Sequence, residues 1–270
     1  MRRLTAFNLT SLTLGLAFLY LPMLVLIAYS FNSNKLVTVW AGFSVKWYGE
    51  LFRDPAFLDA AWVTLRVAVV SSTLAAVLGT TAAYVLVRGG KFSGRTLFSG
   101  MLYAPLVMPD VILGLSLLLL FIAVGLDRGM TTIILAHTTF TMSYVAVVVT
   151  SRLVSFDRSL EEAALDLGCN AWDAFRLVTL PIIAPAVISG WLLGFTLSLD
   201  DLVIASFTSG PSATTLPMKI FSAVWLGVYP EINALSTILI SIVTVGVFTT
   251  SLMSKRAIAK RIREENRAEQ

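Results

Sequence analysis

Charged residues are scarce in this sequence of 270 residues. Asp, Glu, Lys and Arg make up 13% of it, whereas they make up about a quarter of a soluble domain. Hydrophobic residues make up 57%, and the mean hydropathy is +0.82. One water-facing domain of this length has too little interior to hide so many apolar side chains. The composition excludes an ordinary soluble protein and indicates a chain whose surface largely faces lipid.

Cysteine, histidine and catalytic motifs are also scarce. One cysteine, Cys169, excludes an internal disulfide framework, and one histidine, His137, leaves no Cys/His cluster for a metal. Gly89-Gly90-Lys91 is not part of a G-x-x-x-x-G-K-[ST] phosphate loop. We find no nucleophile motif. The sequence therefore predicts no catalytic residue, no metal site and no cofactor in this chain.

Apolar segments of membrane-spanning length recur along the chain. A helix needs about 20 apolar residues to cross the hydrocarbon layer. The first segment carries no charge and is too long for a signal-peptide core, so we expect it to remain as an anchor. The predicted fold is an all-α integral membrane protein with six transmembrane helices. The predicted spans are Leu9–Phe31, Ala60–Val87, Thr96–Gly125, Thr131–Thr150, Ile182–Phe207 and Asn233–Met253.

The basic residues are distributed unevenly between the connections. Most precede the first span, follow the second, fourth and sixth, or lie in the loop before the fifth; the others outside the spans are Lys35, Lys46, Arg53, Arg128 and Lys219. Loops rich in Lys and Arg stay in the cytoplasm. We therefore expect a multi-pass protein with both termini cytoplasmic. Because the positive charge lies in short clusters rather than one patch, it does not indicate nucleic-acid binding.

A loop of unusual length joins the fourth and fifth predicted spans. Leu160–Leu167 has helix-forming composition, and Gly168 suits the left-handed turn that ends a helix. Asn170 is placed to cap a second short helix that presents Trp172, and Leu180-Pro181 is expected to end the unit. Two short helices that turn at a glycine would form a rigid peg.

The loop resembles the EAA loop of ABC-importer permeases. The resemblance lies in Glu162-Ala163-Ala164, then Gly168, then nine residues to Val178-Thr179-Leu180-Pro181, with Val178 where Ile is usual. It implies that the loop docks on a separate ATPase, and the alternative is an amphipathic helix that covers the membrane surface. The residues implied in coupling are Glu162, Ala163, Ala164, Gly168, Trp172, Leu180 and Pro181.

Further stretches resemble the permeases of polyamine importers. They are Leu36–Gly42 with Lys46–Tyr48, Pro105–Asp110, Leu197–Phe207 and Pro230–Leu235. The likeness covers nearly the whole chain and is closest to permeases for putrescine and next to those for spermidine. Trp225 departs from the putrescine pattern, in which a basic residue is expected, so both substrates stay open.

The resemblance also implies an architecture and a set of partners. It implies the type I ABC importer permease (MetI-like) fold in a bacterial inner membrane. The implied partners are a second homologous permease subunit, two copies of an ABC ATPase that bind ATP and Mg, a periplasmic polyamine-binding protein and membrane lipid. The predicted organisation is a first helix and outer loop (1–59), a core permease domain (60–254) with its coupling loop (151–181), and a basic cytoplasmic tail (255–270).

Three carboxylates lie within the predicted spans: Asp110, Asp200 and Asp201. A charge inside a span costs about 3 kcal/mol, so each requires a partner or an aqueous path. Their positions along the helices place all three in the outer half of the membrane. A polyamine path needs spaced carboxylates for its ammonium groups and aromatic faces for its methylenes, which Tyr103 and Trp225 would supply.

A structural role is the alternative for these groups. Arg66 would then pair with one of the carboxylates, and Asp110 would cap a helix that restarts after Pro109. His137 is expected to be a hydrogen-bonded contact between helices rather than a ligand or a proton relay.

Two other classes of membrane protein compete with the importer. A proton-coupled secondary transporter of organic cations would use intramembrane carboxylates, but it would usually show inverted repeats, which we do not find, and it has no use for the loop from Glu162 to Pro181. A membrane-embedded enzyme needs a convergent set of catalytic groups, which one histidine and scattered carboxylates do not provide.

The predicted topology can be tested by cysteine labelling. In a Cys169→Ser background, a cysteine at Ser212 should react with a membrane-impermeant thiol reagent in intact spheroplasts, because the positive-inside rule places it outside. A cysteine at Asn266 should react only after lysis. The reverse pattern of labelling would contradict the orientation.

Overall fold

The structure is a computed structural model that describes residues 5–36, 39–227, 230–245 and 248–249. Helices dominate this part of the chain, and β pairing within it is limited to an isolated bridge between Asn32 and Phe43. This confirms the all-α fold class. The helices are α1 (Ala6–Ser30), α2 (Lys46–Leu51), α3 (Pro55–Arg88), α4 (Arg95–Val107), α5 (Asp110–Ala123), α6 (Met130–Ser155), α7 (Ser159–Asp166), α8 (Ala171–Ala174), α9 (Leu180–Asp200), α10 (Val203–Thr208), α11 (Leu216–Leu226) and α12 (Pro230–Val245).

Four described helices are long and apolar enough to cross a membrane: Phe7–Ser30, Pro55–Arg88, Met130–Ser155 and Ala171–Asp200. They correspond to the first, second, fourth and fifth predicted spans. The predicted sixth span is represented by the shorter apolar helix α12. The rest of that prediction lies mostly outside the described residues.

The predicted third span, Thr96–Gly125, is wrong as a single helix. It consists of α4 and α5, which are bent by 120° at the break between them. Proline disfavours helical geometry in the residue before it, and Met108 is accordingly extended, with φ −76° and ψ 135°. The helix restarts at Asp110, but the Asp110 side chain makes no capping hydrogen bond there.

The predicted fifth span is also wrong at both ends. Leu180-Pro181 does not end the loop unit, because α8 continues through a π-helical turn, Phe175–Thr179, directly into α9. The Leu180 N–H bonds to the Phe175 carbonyl, and such a widened turn accommodates a proline that cannot donate. At the far end the helix stops at Asp200, Asp201 is extended, and α10 begins at Val203.

Residues 56–221 form one compact unit with α6 at its centre. Glycines bring the neighbouring helices against the α6 backbone. A Cβ on Gly79 of α3 would lie 2.8 Å from the Met142 carbonyl oxygen, and one on Gly190 of α9 would lie 3.2 Å from Val145 Cγ1. Small residues let membrane helices approach closely enough for dispersion contacts along their backbones. Ala75, Ala83, Val149, Leu153 and Ile183 complete the fully buried cluster around Val145.

The other unit contains the described residues up to Pro55 and from Ser222 onward. Its connection after α1 is folded around Asn32, whose side chain donates to the Val39 carbonyl and accepts from the Ala41 N–H. Trp47 of α2 is 1% exposed and donates to the Asn32 carbonyl at 2.6 Å. The indole of Trp47 is thus an internal anchor for this connection.

The close contact at Gly79 predicts a specific sensitivity. Gly79→Leu should lower the free energy of unfolding by about 1–3 kcal/mol, because the added side chain meets the backbone carbonyl of Met142 and Val145. Thermal unfolding in detergent measures this. Gly100→Leu is the matched control, since a Cβ there meets nothing within 4 Å. Equal stability of the two variants would contradict the packing argument.

Candidate functional site

The loop between α6 and α9 has the predicted helix, turn and cap. The backbone N–H and the hydroxyl of Ser159 hold the pKa of the Asp157 carboxyl below its ordinary value just before α7. Gly168 has φ +94°, the left-handed conformation that glycine adopts without strain. The Asn170 side chain accepts from the Asp173 N–H at 2.9 Å, which caps α8. These contacts confirm the predicted helix–glycine–helix motif.

The loop presents apolar side chains to its surroundings. Leu167 is 87% exposed, Trp172 66% and Leu177 64%. Glu162, Ala163, Gly168 and Pro181 are also exposed, whereas Leu180 is half-buried and Ala164 is buried. Exposed apolar side chains on a loop mark a surface that meets a partner or the membrane.

Behind this surface lies a buried ion pair that the sequence analysis missed. Glu161 Oε2 lies 2.8 Å from Arg88 Nε, and its Oε1 accepts from the Thr179 hydroxyl at 2.6 Å. Glu161 shares the inner face of α7 with Ala164, one turn away. That i, i+3 spacing was the available signal, but the sequence does not show that Arg88 lies opposite.

The carboxylates in the membrane fall into two environments. Asp110 begins α5 and Asp200 ends α9; both are exposed, and no hydrogen bond or ion pair joins either side chain to another described residue. Asp201 is nearly buried and accepts from the N–H groups of Ile204 and Ala205, which caps α10. Adjacent aspartates therefore have different surroundings.

Asp201 also belongs to a buried polar chain between helices. His137 Nε2 of α6 lies 3.2 Å from Asp201 Oδ2, and His137 Nδ1 lies 2.7 Å from Ser198 Oγ. Ser198 in turn lies 3.1 Å from Ser71 Oγ of α3. This series of polar contacts joins α3, α6, α9 and the start of α10. It confirms His137 as a hydrogen-bonded contact between helices.

The two breaks in the helices are held together by packing. Leu113 of α5 and Ile204 of α10 belong to one buried cluster, and a Cβ on Gly114 would lie 2.7 Å from the Phe207 ring. Asp110 lies one turn before Leu113, and Asp201 lies just before α10. The packing of α5 on α10 thus links the break beside Asp110 to the break beside Asp200 and Asp201.

The remaining candidates have other surroundings. Tyr103 is half-buried against Leu86, Leu102 and Ala146, and Trp225 is 81% exposed. The Arg66 guanidinium lies 4.7 Å from the centre of the Trp62 ring, and no carboxylate of the described chain forms an ion pair with it. Among the residues that the structure describes, no group of three His, Cys, Asp or Glu side chains is placed to hold a metal.

Comparison with known proteins gives concordant results. Residues 75–264 match the family model described as binding-protein-dependent transport system inner membrane component. The chain is 59% identical over 263 residues to the putrescine transport system permease protein PotI of Escherichia coli K12, covering 95% of this chain and 94% of that protein. It is 43% identical over 239 residues to the spermidine/putrescine transport system permease protein PotC of the same organism, covering 88% and 90%.

The fold has counterparts among solved structures. A chain of a bacterial ABC transporter involved in the import of the acidic polysaccharide alginate superposes with a TM-score of 0.73 at 18% identity, covering 92% of this chain and 94% of that one. This likeness shows the fold of an ABC importer permease, and the two relatives confirm the resemblance identified in the sequence. The chain therefore belongs to the family of binding-protein-dependent transport system inner membrane components, and it is a non-catalytic membrane subunit.

Proposed function

We propose that this chain is one of two permease subunits of an ATP-driven polyamine importer, with putrescine as the first candidate substrate and spermidine as the second. The observation that carries the proposal is the 59% identity, over 95% of this chain, to a putrescine transport system permease protein. The more distant spermidine/putrescine relative supports the same class of substrate. A bacterial inner membrane and a soluble polyamine receptor outside it follow from this assignment.

The loop between α6 and α9 is the proposed docking surface for a separate ATPase. Its exposed Leu167, Trp172 and Leu177 provide the apolar contact that such a surface needs. ATP and Mg are bound by that partner, of which the complex holds two copies, one for each permease subunit. The positive-inside rule puts this loop and both termini in the cytoplasm, where the ATPase lies.

The loop is connected rigidly to a membrane helix, so a displacement of the loop would move that helix. Because α8 continues into α9, Ala171–Asp200 is a single helical rod. The docking residue Trp172 lies at one end of this rod, and Asp200 lies at the other. Closure of the ATPase pair would therefore move the break beside Asp200 directly, and alternate the access of the path from one side of the membrane to the other.

Asp110 and Asp200 are the proposed contacts of the polyamine ammonium groups. Both carboxylates are exposed and have no partner among the described side chains, so they are available to a cation. Asp200 lies at the C-terminal end of α9, where the helix dipole and the last carbonyl groups also attract positive charge. Broken helices that expose such ends bind ions in other transporters. Tyr103 and Trp225 remain proposed aromatic faces of the path.

Asp201 has a different proposed role. Its two oxygens already accept from the α10 backbone, and one of them also contacts His137. A carboxylate engaged in this way holds the break in the helix open and leaves its neighbour Asp200 facing the solute.

The proposed function predicts the outcome of an uptake assay. Cells lacking this gene should lose uptake of radiolabelled putrescine, and the wild-type chain should restore it. Gly168→Val should not, because a β-branched residue strains the left-handed turn and misaligns α7 with α8. Gly90→Val is the matched control, since Gly90 also has positive φ but lies outside the loop. If the Gly168→Val variant shows normal uptake and still co-purifies with a bound ATPase, the proposed docking surface is contradicted.

The two classes of carboxylate predict different defects. Asp110→Asn and Asp200→Asn should assemble at wild-type yield, keep receptor-stimulated ATP hydrolysis and lose most putrescine uptake, because they remove an attraction without stranding a buried charge. Asp201→Asn should instead lower the yield of the complex, because it weakens the cap of α10 and the contact with His137. Unchanged uptake in both exposed variants would refute the path, and loss of assembly would make those residues structural.

A further inference from the structure

We infer that Glu161 is a positioning residue for energy coupling, because its buried carboxylate ties the loop-side ends of α3 and α9 to the loop helix α7. A displacement of α7 then moves both membrane helices together. This inference rests on the proposed function, since it requires an ATPase that acts on the loop.

Each oxygen of the Glu161 carboxylate is bound to a different membrane helix. Oε2 pairs with Arg88, the last residue of α3, and Oε1 accepts from Thr179, which immediately precedes α9. The Arg88 and Glu161 side chains are 12% and 10% exposed, and Thr179 is fully buried. Water therefore screens these contacts little, and the ion pair and the hydrogen bond set the position of the carboxylate.

The arginine extends the same junction to α6. Arg88 Nη2 donates to the carbonyl of Phe156, the residue that caps α6, and the guanidinium lies 5.5 Å from the centre of the Phe156 ring. The planar guanidinium presents several donors in fixed directions, so it holds a carboxylate and a carbonyl at once. The ends of α3, α6 and α9 thus meet at one buried ion pair beneath α7.

An aromatic contact runs parallel to the ion pair. Trp172, on the proposed docking surface, stacks on Phe175, and Phe175 packs edge-on against Tyr84 of α3 with ring centres 4.9 Å apart. Tyr84 lies one turn before Arg88 on α3. The end of α3 is therefore joined to the loop at two successive turns, once by charge and once by packing.

The neighbouring Glu162 shows why position decides the role. Glu162 is exposed and pairs with Arg158, four residues earlier on the same loop, at 3.1 Å. That contact stays within the loop and is open to solvent, which makes it weak. Of the two glutamates, only Glu161 faces inward, so only its carboxylate can pass a displacement of α7 to the membrane helices.

The inference is tested by the ratio of putrescine transported to ATP hydrolysed. The complete complex is reconstituted in proteoliposomes with its receptor, and uptake and phosphate release are measured in the same sample. Glu161→Gln and Thr179→Val should retain the bound ATPase and lower this ratio about twofold to thirtyfold, the fold-change to which coupling effects of roughly 0.5–2 kcal/mol correspond. Thr179→Val removes one hydrogen bond and leaves the ion pair with Arg88 in place.

Matched controls separate coupling from loss of structure. Asp166→Asn removes an exposed carboxylate from the same helix, and Thr81→Val removes an exposed hydroxyl from α3 that bonds only within its own helix, to the Val77 carbonyl. Both should keep the wild-type ratio. A wild-type ratio in assembled Glu161→Gln and Thr179→Val complexes would overturn the inference, as would failure of both to assemble, which would make the junction merely structural.

A third variant distinguishes this inference from the proposed function. Trp172→Ala should release the ATPase or abolish its stimulation, because Trp172 lies on the exposed docking surface. If Trp172→Ala retains a fully stimulated ATPase, the docking surface itself is wrong. If Trp172→Ala loses the ATPase or its stimulation while the Glu161 and Thr179 variants keep the wild-type ratio, the docking surface is supported and the positioning role of Glu161 is refuted.

Discussion

The close approach of α3 and α9 to α6 is the constraint on which the unit of residues 56–221 depends. Helices in lipid gain little from burying apolar side chains, so their association requires close packing and polar contacts. Glycines at positions 79, 190 and 194 provide that closeness, because a Cβ at each would press on α6. Only at such short separation can small side chains such as Ser71 and Ser198 bond from one helix to another.

Interruption of the helices is what makes this packed unit suitable for transport. A continuous helix satisfies its own backbone and offers a cation nothing but side chains, whereas a break exposes carbonyl groups and a helix end. At the second break, Asp201 accepts from the N–H groups of Ile204 and Ala205, His137 contacts Asp201, and Ser198 bonds to His137. Asp200 can remain exposed beside the break because its neighbour stabilises the local backbone.

Features that depend on local chemistry were predictable from the sequence, and those that depend on tertiary contact were not. Hydropathy located the long helices, and the turn at Gly168 and the cap at Asn170 followed from backbone preferences. Hydropathy does not report the direction of a helix axis, however, so it did not predict the bend after Met108. Pro109 was the local signal for that bend. The pairing of Glu161 with Arg88 joins residues far apart in sequence, and the spacing of Glu161 from Ala164 was the only local sign of which of the two adjacent glutamates is buried.

The helix α9 brings these elements together as a lever. Its 21 residues span about 30 Å at the rise of an α-helix. Thr179 and the buried carboxylate of Glu161 hold one end, Gly190 and Gly194 press its middle against α6, and Asp200 lies at the other end. Because close-packed interiors shift between discrete arrangements rather than deform, a small tilt about this glycine contact is carried to both ends. In the proposed function, a displacement at the loop would thereby be converted into a displacement of the carboxylate of Asp200.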